Sequence, residues 1–79
     1  MNTINLPTYA IVELLIRVTP FNSLIGHYKN HSINNDGAIV NTSSGSILIP
    51  ESLIIDQFKN PEMVTEKILL DMALSFKPF

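Results

Sequence analysis

The sequence predicts an α+β fold, a small single domain over residues 1–79 in which three to four helices pack around a short antiparallel β-hairpin. Apolar stretches with helical spacing lie near both ends of the chain and predict the longer helices. Between them, two short runs of β-branched residues lie next to turn signals and predict the hairpin. A chain of 79 residues is long enough for one domain, but its core can only be small.

The first predicted helix covers about residues 6–18 and is apolar almost all the way round. Asn5 can cap it, and Pro7 is tolerated in the first turn of a helix. Glu13 and Arg17 lie one turn apart and form its only polar stripe. Since such a helix is normally buried inside a large core, we expect a second chain to cover part of it.

A second helix is predicted at about residues 20–29, because Thr19 can cap it and Pro20 suits its first position. Its apolar residues recur at helical spacing: Phe21, Leu24, Ile25 and Tyr28. Gly26 weakens a helix by about 1 kcal/mol relative to alanine. One helix kinked at Pro20 is the alternative, and we favour two helices that meet at a corner.

The hairpin is predicted at about residues 38–49, with turn signals at 35–37 and 43–46. Residues 31–34 are a candidate third strand at its edge. An isolated hairpin is not stable in water, so this one must pack on the helices.

Two helices complete the chain, a short one at about residues 51–58 and the last one at about 61–76. Asn60, Pro61 and Glu62 have the order of cap, proline and acidic residue that is typical of a helix start.

The last helix has two apolar faces, whereas one suffices to pack it in a small monomer. One face consists of Ile68, Leu69, Met72 and Phe76, and the other of Met63, Leu70 and Leu74. We therefore expect a homodimer that forms through the first and last helices. The predicted interface residues are Ile11, Leu15, Met63, Leu70 and Leu74.

Charge and composition exclude several classes of function. Five Lys and Arg against seven Asp and Glu give a net charge of −2, which disfavours nucleic-acid binding. The chain has no cysteine, which rules out disulfides and thiolate metal sites. No secretory signal is recognisable, and the first apolar stretch is too short to cross a bilayer. We expect a cytoplasmic protein without membrane contact.

Few side chains are candidates for catalysis or for binding a metal or phosphate. His27 and His31 are four residues apart, a spacing that metal sites use on helices, but the nearest acid is Asp36 and further ligands are missing. The serine- and glycine-rich turn at 43–46 lacks the lysine of a phosphate-binding loop. Of three carboxylates on the last helix, Glu62 offsets the helix dipole in the first turn, and Glu66 and Asp71 suggest a solvated rim. We expect no catalytic residue, no cofactor and no metal.

These observations favour a non-enzymatic protein-binding module, an adaptor or inhibitor that acts by occupying another protein. Eleven isoleucines, eight asparagines and a single arginine are typical of AT-rich coding DNA, so a phage or mobile-element accessory or anti-defence protein is one hypothesis. The alternative is a dimeric transcription regulator or antitoxin with a helix-turn-helix at residues 6–29. In that case Lys29 would be the only cation able to reach a base edge.

Overall fold

The structure, a computed structural model, describes residues 6–79, and these form three α-helices and a four-stranded antiparallel sheet. The helices are α1 (Thr8–Val18), α2 (Glu51–Lys59) and α3 (Glu66–Ala73). The strands, which lie side by side in chain order, are β1 (Tyr28–Asn34), β2 (Gly37–Thr42), β3 (Gly45–Pro50) and β4 (Lys77–Pro78). The α+β class is confirmed, while the predicted cap at Asn5 lies outside the described residues.

The predicted hairpin is present as β2 and β3, but it forms the centre of a larger sheet. The candidate third strand at 31–34 is part of β1, which pairs with β2. A two-residue turn joins them, and the Asn34 side chain stabilises it by accepting hydrogen bonds from the backbone N–H groups of Asp36 (2.8 Å) and Gly37 (3.0 Å). The inner face of the sheet packs in the core through Ala38, Val40, Ile47 and Ile49.

The prediction of a helix at residues 20–29 is wrong. A 3-10 turn at Thr19–Phe21 follows α1, and Asn22 is already extended, with φ −148°. Gly26 has a φ of +81°, a left-handed conformation that an α-helix cannot contain. Tyr28 then begins β1. Residues 6–29 therefore do not form the predicted helix-turn-helix, because its second helix is replaced by a loop and the start of β1.

The expectation that α1 needs a second chain to cover it is also corrected. Ile11 and Leu15 are 0% and 3% exposed within this chain, because α1 packs against α2 and α3 and contributes to the core that the helices share with the sheet. Ile11 is therefore fully covered by its own chain, and Leu15 exposes only a small part of its side chain. Tyr9 and Ile16 remain exposed on the opposite side of α1.

The last helix is shorter than predicted. Pro61–Met63 form a separate 3-10 turn, and Val64 is extended and buried. Thr65 caps α3, since its hydroxyl oxygen accepts a hydrogen bond from the backbone N–H of Ile68 (3.4 Å). The helix therefore begins after Thr65 and not after Asn60, since the extended Val64 between them is buried in the core. The short helix predicted at 51–58 is α2.

Candidate protein-binding surfaces

The outer face of α3 is the most apolar exposed surface that the sequence predicted. Leu70 and Leu74, one turn apart at the end of α3, are 45% and 84% exposed. Met63 is 61% exposed, but it lies in the separate 3-10 turn and does not share a helical face with them as predicted. We call these three residues the outer α3 face. The other apolar face of the helix packs into the core or against it: Ile68, Leu69, Met72 and Phe76. The core of this chain therefore makes no use of the outer α3 face.

Charged residues of both signs border the outer α3 face. Glu66, Lys67 and Asp71 are all exposed on the same helix. The 3-10 turn that ends in Phe21 contacts α3, and Phe21 is itself partly exposed, so it adds an aromatic ring beside the helix. The exposure of Phe21 is not predicted from the sequence, because the helical spacing of residues 20–29 places its ring on the apolar side of a helix.

A second surface is an open groove of about 400 Å³, which we call the α2–α3 groove. It is lined by Leu48, Pro50, Ser52, Leu53, Asp56, Ile68, Asp71, Met72 and Ser75. Asp56 stands on α2 and Asp71 on α3, so each helical wall presents one carboxylate above an apolar floor. The groove thus combines apolar contact area with negative charge.

Sequence reasoning did not find this groove, although a signal was present. Ser52 and Asp56 are four residues apart on α2, and Asp71 and Ser75 are four apart at the end of α3. That spacing puts each serine and aspartate on one side of a helix. Only the packing of both helices on the sheet brings the two sides to one groove.

A third surface is a groove of about 520 Å³ between α1 and the loop that leads into β1. It is lined by Val12, Leu15, Ile16, Thr19, Pro20, Ser23, Gly26, His27 and Tyr28. Its apolar wall is the exposed side of α1, and no carboxylate, lysine or arginine lines it. The groove therefore offers apolar contact area without a charge that would select a partner.

The two histidines do not share a helical face. His27 lies in the loop before β1, and its backbone N–H donates to the Ser43 hydroxyl (3.0 Å). His31 lies on β1, where its Nδ1 is 2.8 Å from the Tyr28 hydroxyl. Within residues 6–79, no three His, Asp or Glu side chains are grouped in a way that could hold a metal ion.

No helix among the described residues is both long and apolar enough to span a bilayer. Comparisons of the chain with protein-family models, curated proteins and solved structures gave no match, so function is inferred from these surfaces.

Proposed function

We propose that this protein is a small non-enzymatic binding module that self-associates as a homodimer through the outer α3 face and acts by occupying another protein, as an adaptor or inhibitor. The main support is the exposure of Leu70 and Leu74, one turn apart at the end of α3, together with the exposure of Met63 in the 3-10 turn before this helix. Single exposed apolar residues are ordinary on protein surfaces, whereas contiguous apolar patches mark contact sites.

A second copy is a suitable cover for this face. In a two-fold dimer the same patch contributes from both chains, so in an antiparallel pair of α3 helices Leu70 of each copy would pack against Leu74 of the other. Lys67 and Asp71 lie on the same helix with opposite charges. Their charges offset one another beside the face, so two copies can approach without strong like-charge repulsion.

A protein that acts by occupying another protein needs surfaces that bind it and needs no catalytic residue. The two grooves on other sides of the chain supply such surfaces, and they leave the outer α3 face free for self-association. We place this activity in the cytoplasm, and the composition of the chain supports an origin in a phage or another mobile element.

The homodimer is tested by sedimentation of the wild type and of Leu74→Asp over a range of concentrations up to about 1 mM, which would detect even a weak dimer. We expect the wild type to dimerise and Leu74→Asp to remain a folded monomer, because the substitution forces a charge into an apolar contact. Leu24→Asp is the matched control, since Leu24 is 67% exposed in the loop before β1. It should dimerise like the wild type.

A wild-type protein that remains monomeric throughout would refute the homodimer. Equal dissociation of Leu24→Asp and Leu74→Asp would refute the assignment of the interface to α3.

A further inference from the structure

We propose that the α2–α3 groove binds a short segment of a partner protein in which an apolar side chain is flanked by lysine or arginine. This inference rests on the proposed protein-binding function and names the chemistry of the partner. The groove is on a different side of α3 from the outer α3 face, so a dimer and a bound segment are compatible.

The floor of the groove provides the apolar contact. Leu48 is exposed and Ile68 is half-buried there, while Leu53 of α2 and Met72 of α3 are buried at the floor. The volume of about 400 Å³ is within the range of roughly 300–1,000 Å³ that is usual for ligand sites. Because the groove is open to solvent, the residues that flank a bound apolar side chain would remain in contact with water.

The outer edge of β3 explains why a polypeptide suits the groove. Strand β4 pairs only with Gly45 and Ser46, so among residues 6–79 no strand pairs with the edge of β3 opposite β2 from residue 47 to residue 50. The Ser75 hydroxyl donates to the Leu48 carbonyl at this edge (3.1 Å). The Leu48 carbonyl is therefore already occupied, and an extended segment would lie along the rest of this edge, a mode that peptide-binding surfaces use.

The two carboxylates define the charge of the partner. Asp56 and Asp71 are the only charged residues that line the groove, and they stand on opposite walls. A wholly apolar partner would remove water from these carboxylates without offering them new hydrogen bonds, which costs free energy. Lysine or arginine on either side of the apolar residue would instead pair with them, and electrostatic complementarity of this kind selects the partner.

The test uses the full chain with Leu74→Asp, so that binding is measured on a monomer and is independent of the dimer. A phage-displayed library of random peptides is selected on this protein, and the affinity of enriched peptides is measured by fluorescence anisotropy. We expect the enriched peptides to share an apolar or aromatic residue next to Lys or Arg. We also expect their affinity to fall as the salt concentration rises, because salt screens exposed charge pairs.

Variants locate the binding site. Asp56→Asn combined with Asp71→Asn should weaken binding about tenfold and reduce its salt dependence, because two partly exposed charge pairs are lost. Ser52→Trp should abolish binding, since the indole ring fills the groove from an exposed position on α2. The control is Glu13→Gln with Glu62→Gln, which removes two exposed carboxylates outside the groove and should leave the affinity unchanged.

The inference is overturned if no peptide is enriched, if the enriched peptides lack basic residues, or if the double asparagine variant binds them as tightly as its parent. It is also overturned if the asparagine substitutions, made in the chain with Leu74 intact, weaken dimerisation instead, because a second copy would then occupy the groove. A wild type that never dimerises, with peptide binding intact, would refute the homodimer alone.

Discussion

Arg17 shows how the role of a single residue depends on its surroundings. The sequence places it on a polar stripe of α1 with Glu13, whereas in the structure its guanidinium donates hydrogen bonds to the Gln57 side-chain oxygen and to the backbone carbonyls of Pro61 (3.3 Å) and Val64 (2.6 Å). The planar fork of arginine allows one side chain to bridge several acceptors. Arg17 thereby ties the end of α1 to the end of α2 and to the segment before α3.

We predict that Arg17→Met lowers the free energy of unfolding by about 2–3 kcal/mol, because Gln57 and the Val64 carbonyl lose a charged donor in a partly buried place. Arg17→Lys should recover only part of the loss, since an ammonium group cannot form the same fork. Urea denaturation measures both. Glu13→Ala, at an exposed position one turn earlier, should change stability by less than about 0.5 kcal/mol. If Arg17→Met costs no more than this control, the hydrogen bonds do not stabilise the fold.

At the scale of an element, the segment before β1 is held by a contact that its own sequence does not reveal. Thr42, fully buried on β2, donates its hydroxyl to the Ile25 carbonyl and accepts hydrogen bonds from the N–H groups of Ser44 and Gly45 (both 3.1 Å). One hydroxyl therefore fixes both the turn between β2 and β3 and the loop that crosses it. Ile25 is buried as a result, although it is not helical.

We expect Thr42→Val to cost about 1–3 kcal/mol of unfolding free energy, because the shape is kept while a buried carbonyl and two N–H groups lose their partner. Thermal unfolding followed by circular dichroism measures the loss. Thr8→Val is the matched control at an exposed position of α1 and should be nearly neutral. Equal stability of the two variants would show that the Thr42 hydroxyl does not hold the loop.

The apolar residues that the folded molecule leaves exposed determine where it can self-associate. The inner sides of α1, α2 and α3 form one core with the sheet, so the chain covers more of its helices than composition alone suggests. The outer α3 face remains outside that core. The case for self-association therefore depends on the last helix and no longer on the first.

Dimer formation should also be visible as a dependence of stability on concentration. We predict that the melting temperature of the wild type rises by about 5 °C or more when its concentration is raised about a hundredfold, because mass action favours a folded dimer. Leu74→Asp should melt at the same temperature throughout, and Leu24→Asp should follow the wild type. Differential scanning calorimetry checks this. A wild-type melting temperature that does not depend on concentration would contradict the dimer.

The sequence by itself determined what depends on neighbouring residues. It predicted α1 and α2 from helical spacing, the β2–β3 hairpin from turn residues and β-branched runs, and the two faces of the last helix from the period of 3.6 residues. These features follow from local backbone preferences and side-chain periodicity, so a single sequence contains them.

Only the tertiary structure decided the rest. The loop and strand at residues 22–34 depend on Thr42, which is 17 residues from Ile25, and the role of Arg17 depends on Val64, 47 residues away. The α2–α3 groove likewise requires two helices and a strand edge to meet. Contacts between residues far apart in the chain override local preference because burial and hydrogen bonding are satisfied over the whole fold, and no local pattern records which distant partner will satisfy them.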